Sequence, residues 1–389
     1  MPIPQETLKL VKRPGMSPKR KIAKSGAVVY FGSAHVARAE AAASLPAKLE
    51  RILNKVDLER LCQGAWVPIK MHLGGGLGYT MIHPVFVNVV VKAVKAAGGK
   101  PFVVDGLFNT IATAAARGYT AATLGCPIVS AGGPYDSHVV KCKVAFPGLD
   151  EINAFGVIWD APGLINFSHI KGHGNCGYAG ACKNIAMGCV DKPTRGRLHA
   201  LSGAIDWIKD RCRLCGRCVK ACDTGAVSLD KKKKAISFFW HDCRFCAHCV
   251  TACPHGALAI RARDGFRRFQ EGLAVTAKTI LDSFDPKRIL HINLLTNISM
   301  LCDCWGMSSP SIVPDIGVMV SRDMVAIETA TLKAIEARHF IPGSLIGNRR
   351  LMKGRHLLEQ VHGKDPFLQI RALERHGVGR SRYRLIEVV

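Results

Sequence analysis

A chain of 389 residues can bury a full core, and 48% hydrophobic content with 21% charged residues marks it as globular rather than disordered. The formal charge of +25 favours acidic proteins, nucleic acid or anionic lipid as partners, with a merely solvated basic surface as the plain alternative. The N-terminal stretch is basic (Lys9, Lys12, Arg13, Lys19, Arg20, Lys21, Lys24) and lacks the apolar core and cleavage site of a secretory signal, while the most apolar run, Val87–Val94, is short and carries Lys92. A soluble cytoplasmic protein with no membrane span is the expectation.

Taken in order, residues 1–24 read as a basic tail. Ala27–Phe31 is a β-rich run, and Ala41–Leu61 has the pattern of an amphipathic helix. Ala65–Met71 reads as a strand, followed by the loop His72–Thr80 and a helix entered through Pro84 and closed by Gly98–Gly99. Pro101–Asp105, Gly125–Ser130 and Gly156–Asp160 continue as short apolar strands. Strands alternating with helices predict a parallel-sheet α/β body. Its first part spans 25–205, and the pattern breaks at about Asp206. It returns over 263–345 with strands at Arg288–Leu295 and Ile316–Val320 and a helix across Asp323–Arg338. A basic C-terminal segment, 346–389, carries no clear pattern. The economical arrangement is one α/β body interrupted by an inserted domain at 206–262.

That insertion holds the strongest motif. Cys212, Cys215, Cys218 and Cys222 recur 31 residues later as Cys243, Cys246, Cys249 and Cys253, the last followed by Pro254. The repeat extends past the cysteines: CRLCGRCVKACDTGAV aligns with CRFCAHCVTACPHGAL. Three thiolates spaced by two residues can wrap one iron–sulfur cube, and the fourth cysteine of each run ligates the other cube. Cys212, Cys215, Cys218 and Cys253 are therefore assigned to one 4Fe–4S cluster, and Cys243, Cys246, Cys249 and Cys222 to a second. Such use of cysteine points to a reducing compartment. Two oxidised cubes on eight thiolates would lower the net charge to about +21. Zinc is the competing occupant, but zinc sites rarely need two fourfold runs in this register. The segment resembles bacterial two-cluster ferredoxins throughout its length.

Three segments of the body resemble a further family. VPIKMHLGGGLGYTMIHPVFVNVVVKAVKAAGGKPFVVD, FSHIKGHGNCGYAGACKNIAMGC and LCDCWGMSSPSIVPDIGVMVSRDMVAIETA are similar to the family called domain of unknown function 362, across roughly residues 27–335. Many of its members carry the same ferredoxin insertion. The resemblance implies an α/β fold with an inserted redox module, and no established reaction.

Three places in the body could hold chemistry. In the loop His72–Thr80, Gly74, Gly75 and Gly76 could expose amides to an anionic group of a cofactor, although the spacing is not GxGxxG and glycine turns are often only turns. The second is His169, Lys171, His173, Cys176, Cys182, Lys183, Asn184 and Cys189, where imidazole, thiol and amine could bind a metal or hold and protonate an anionic substrate. Of these, Lys171, His173, Lys183 and Asn184 match the family motif; the cysteines could equally be small core residues. The third is Cys302-Asp303-Cys304-Trp305 after a strand, then Asp315 and Asp323. Two thiols one residue apart do not easily form an unstrained disulfide, but they could ligate an additional soft metal.

The sequence therefore predicts an iron–sulfur oxidoreductase. Its clusters would take electrons from a soluble, acidic redox partner and pass them to a small-molecule substrate at Lys171, His173 and Lys183, with Asn184 and the glycine loop binding. A pure electron carrier or adaptor is the alternative. A nucleic-acid-associated protein comes third, because it rests on net charge alone and no recognisable nucleic-acid motif accompanies it.

Overall fold

The computed structural model describes residues 26–202, 205–222, 224–240, 242–243, 247–261, 264–347 and 349–389. Eight strands form the central sheet: β1 (Ala27–Ser33), β2 (Trp66–Lys70), β3 (Lys100–Asp105), β4 (Ile128–Ser130), β5 (Leu164–His169), β6 (Ile289–Leu295), β7 (Gly317–Ser321) and β8 (Tyr383–Glu387). Their spatial order is β8-β1-β7-β6-β5-β2-β3-β4. Only β7 runs against its neighbours; the other pairings are parallel. The fold is thus α/β with a mostly parallel sheet, as the alternating pattern predicts.

The period-2 rule of strands divides the core into two layers. Val103, Ile165, Phe167, Leu290, Ile292 and Leu294 face a layer with helices α1 (Leu45–Leu53) and α2 (Pro84–Ala96). Phe102, Val104, Leu164 and Ile289 face the other, with α3 (Ala181–Gly188), α4 (Gly265–Leu281) and α5 (Met324–Ala334). Among the described residues no helix is long and apolar enough to cross a membrane.

Two sequence expectations change. Gly156–Asp160 is not a strand: Gly156–Trp159 makes one helical turn, closed by Asp160 N donating to the Gly156 carbonyl at 2.8 Å. A run this short has no period to separate the two states, and the strand comes after it as β5. The helix expected across Ala41–Leu61 is divided into Ala41–Ala43, α1 and Leu58–Cys62. Asp57 starts the last piece by accepting from Arg60 N at 2.9 Å. The C-terminal segment, patternless in sequence, contributes helices Leu357–His362 and Phe367–Arg375, and β8 at the sheet edge.

Residues 205–260 form a small unit with its own core of Ile205, Ala226, Val227, Ile236, Leu258 and cysteines. The sequence repeat is also a structural one. The turn Arg217–Lys220 recurs at His248–Thr251, and the strand Val227–Asp230 at Leu258–Ile260. Gly216 and Ala247, at equivalent positions, both have left-handed backbones, with φ of 72° and 65°.

Candidate functional site

The carboxyl ends of the parallel strands converge on one edge of the sheet, which is where open α/β sheets place ligands. Lys70 ends β2 and Asp105 ends β3. Both are buried, with Lys70 Nζ 3.1 Å from Asp105 Oδ1. The other carboxylate oxygen meets His72 Nδ1 and accepts from Leu73 N, each at 3.0 Å. Burial works against this charge, but Lys70 and His72 together hold the Asp105 carboxyl well below the usual carboxylate range. Lys70 also donates to Asn184 Oδ1 at 2.8 Å. Asn184 on α3 donates in turn to the Lys70 carbonyl at 3.1 Å and to Asn166 Oδ1 at 2.7 Å. Its amide is therefore spent on tying α3 to β2 and β5.

A second network lies where β5 meets the loop after β6. Asp303 Oδ2 is 2.8 Å from His169 Nδ1, and Asp303 Oδ1 is 3.7 Å from Lys171 Nζ. The other His169 nitrogen faces the Thr296 carbonyl at 2.8 Å. Both ring nitrogens thus face oxygen atoms. Lys171 is fully buried and donates to the carbonyls of Thr80 and Asn297. Burial pulls its ammonium below the ordinary lysine value while Asp303 opposes the shift. His173 is buried as well, its Nδ1 3.3 Å from Cys176 Sγ and accepting from Asn175 N at 3.2 Å. Lys171 and His173, the expected substrate groups, are therefore occupied by protein partners.

Lys183 stands apart from them. It is half-buried on α3, and its Nζ lies 3.7 Å from the sulfurs of both Cys302 and Cys304. Cys302 is buried and Cys304 is exposed. The two thiols hydrogen-bond to each other, and this bond, with Lys183 assisting against burial, pulls the Cys302 thiol down and pushes its donor Cys304 up. The two thiols therefore titrate as a coupled pair beside one amine.

The glycine loop packs on this same turn. Leu77 N donates to the Gly306 carbonyl at 2.6 Å, and Tyr79 N to Ser308 Oγ at 2.9 Å. At Gly76, with φ of 49°, a Cβ would lie 2.5 Å from the Gly306 carbonyl oxygen. Gly75 and Gly76 thus allow two backbones to touch, while a Cβ at Gly74 would meet the Met81 side chain at 2.8 Å, and α2 starts well beyond them at Pro84, capped by His83. The loop leaves Leu77 and Tyr79 exposed beside Met307.

Other sequence candidates are spread through the framework. Burial pushes the thiols of Cys176 and Cys189 up to about 12, and Cys182 is fully buried. Asp315 accepts from Asn297 N at 2.6 Å, and Asp323 caps α5 through Ala326 N at 2.9 Å. Sequence reading missed Lys70, Asp105 and Glu328. Glu328, on α5, accepts from the amides of Ala181 and Cys182 at the start of α3, at 2.7 and 3.5 Å. A charged residue at the end of an apolar strand was the available signal for the first two.

In the cysteine-rich unit, Cys212, Cys215, Cys218 and Cys253 line one cavity together with Ile236 and Leu258. Cys222, Cys243 and Cys249 belong to the same small core, and Cys246 lies outside the described residues. Among the described residues no group of three or more His, Cys, Asp or Glu stands in metal-binding geometry. The unit meets the body through an ion pair between Asp242 and Arg349 and a hydrogen bond from Lys364 to the Cys243 carbonyl. Phe239 meets Trp305 edge-on, with centroids 4.8 Å apart. A separate cavity of about 690 Å³, walled by Lys333, Arg355, His356 and Arg371, includes none of these site residues.

No curated protein matches the sequence. Among solved structures, the lactate racemase apoprotein from Thermoanaerobacterium thermosaccharolyticum is similar at a TM-score of 0.33 and 9% identity, covering 69% of this chain. The chain spans about half, 51%, of that protein's length. The family model described as domain of unknown function (DUF362) matches residues 67–333, from β2 to near the end of α5. The chain belongs to the DUF362 family.

Proposed function

We propose that this protein is an iron–sulfur oxidoreductase, in which two 4Fe–4S clusters in the cysteine-rich unit serve a reaction centre at Lys183, Cys302 and Cys304. The supporting observation is the meeting of Cys253, from the second run, with Cys212, Cys215 and Cys218 of the first around one cavity. The two-cluster motif calls for an exchange of fourth ligands between the runs, and this grouping is consistent with one. Four thiols between Ile236 and Leu258 suit a cube as donors, and Cys243, Cys246, Cys249 and Cys222 would hold the second. When bound, such clusters supply single electrons at low potential.

The unit's two halves face different surroundings, which suggests a direction. Lys209, Arg211, Arg213, Arg217 and Lys220 are exposed around the exposed Cys215, with Asp210 as the single acid between them. That face suits an acidic redox protein as electron donor. The second half instead adjoins the body at Asp242, Cys243 and Phe239. Lys183 would hold negative charge at the two sulfurs of the reaction centre, while the buried Lys171–Asp303–His169 network keeps the turn that carries both thiols in place. A carrier or adaptor has no use for a lysine beside two thiols, so the enzyme reading is preferred.

Iron and acid-labile sulfide analysis of anaerobically purified protein tests this. About eight of each per chain are expected. Cys253→Ser should damage the cluster of the first run, and Cys222→Ser that of the second. Four irons, or zinc in their place, would sink the reading.

A further inference from the structure

We infer that Cys302 and Cys304 are a redox-active dithiol that reduces disulfides, with Lys183 as the cation that keeps one sulfur ionised. The inference rests on the iron–sulfur reading for its electrons only; the dithiol itself is argued from geometry. A thiolate is the form that attacks a disulfide, and it needs a positive neighbour and access to solvent. Lys183 Nζ is equidistant from the two sulfurs at 3.7 Å, and Cys304 is exposed above the buried Cys302. A protonated amine held 3.7 Å from both sulfurs is a positive neighbour that a thiolate favours and a bound cation would not. The turn is also joined to the cysteine-rich unit, since Trp305, next to Cys304, touches Phe239.

Exposure makes Cys304 the attacking sulfur. As its proton passes to hydrogen-bonded Cys302, Cys304 attacks one sulfur of the substrate disulfide and expels the other as a thiolate. Cys302 then attacks Cys304, losing its proton to the departing thiolate and expelling the remaining half as the second thiolate, now between Cys302 and Cys304 a disulfide stands. Two electrons from the acidic partner, passed through the unit, and one solvent proton break that bond and restore the thiol–thiolate pair. The balance is one disulfide, two electrons and one proton in, and one thiol and one thiolate out. A disulfide between residues only two apart is strained, and strain makes it easier to reduce. The ligand class is a disulfide, and the exposed Leu77, Tyr79 and Met307 beside the turn give it an apolar rim.

Thiol mapping on the intact, anaerobic protein tests the dithiol without reference to turnover. Iodoacetamide at pH 6, followed by peptide mass spectrometry, should modify the exposed Cys304, through the charge it exchanges with hydrogen-bonded Cys302, well ahead of the half-buried Cys142, which has no such partner among the described residues and whose thiol burial pushes up to about 11. Lys183→Met should slow that modification by about tenfold at pH 6 and much less at pH 9, because it removes the cation and not the exposure. Diamide should yield a peptide linked between Cys302 and Cys304. With reduced methyl viologen as donor, hydroxyethyl disulfide and insulin stand for a small and a protein disulfide. Oxidation of the dye by either supports the proposal, the faster one identifies the source, and Cys304→Ser should abolish both. Alkylation unaffected by Lys183→Met, absence of the linked peptide, metal bound to the two sulfurs, or no dye oxidation by either disulfide in iron-replete protein would overturn it. Iron-free protein that still shows the lysine-dependent alkylation and the linked peptide would defeat the electron-delivery reading and leave the dithiol standing.

Discussion

The ring of Phe239 meets the edge of Trp305 at a centroid separation of 4.8 Å, and this contact joins the cysteine-rich unit to the turn that holds Cys302 and Cys304. Aromatic pairs in this T-shaped geometry contribute about 0.5–1.5 kcal/mol beyond their buried area. A double-mutant cycle of Phe239→Ala and Trp305→Ala, followed by urea unfolding, should return a coupling in that range. A coupling indistinguishable from zero would mean that the unit is held by Arg349 and Lys364 instead.

Asp105 carries the negative charge that keeps Lys70 buried. Its carboxyl is depressed in the folded state, so its contribution is full above the ordinary carboxylate range and fades as pH falls below about 4. Asp105→Ala leaves an unpaired buried ammonium and should cost about 3–5 kcal/mol at pH 7. Denaturant titrations at pH 7 and pH 3 would measure this, with the gap between wild type and variant narrowing at the lower pH. An equal gap at both would show that the carboxylate charge contributes nothing.

Glu328 behaves in the opposite sense. Burial raises its carboxyl to about 8, although the Ala181 and Cys182 amides favour its ionised form. The folded protein therefore binds a proton that the unfolded chain has released, and stability should decline from about pH 4.5 to pH 8. Glu328→Gln removes this term, so its melting temperature should depend less on pH across the same window. Parallel pH profiles for variant and wild type would contradict the assignment.

The alternation of short apolar strands with helices was legible because the period of a strand and the endpoints of a helix are local properties. Pro84 and Gly98 bracket α2 in the sequence much as they do in the fold. The paired cysteine runs were equally legible, since ligand spacing is local and the 31-residue repeat survives as repeated turns. The failure at Gly156–Trp159 shows the limit: a few apolar residues have no period to read.

Sequence alone determined an α/β chain with a twofold cysteine repeat, and it named Lys183, Cys302 and Cys304 only within a longer set of chemically able groups that put Lys171 and His173 beside Lys183. It could not pair them, because Lys183 lies 119 residues before Cys302. Nor could it tell Lys171 and His173 from Lys183, since all three stand in one glycine-rich stretch. Tertiary structure gives the three different surroundings. Folding surrounds Lys171 with Asp303 and backbone carbonyls, and His173 with Asn175 and Cys176, whereas α3 sets Lys183 beside the buried sulfur of Cys302 and the exposed one of Cys304. A side chain's reactivity depends on burial and on the charges around it, and both are properties of the assembled sheet edge rather than of any local run of residues.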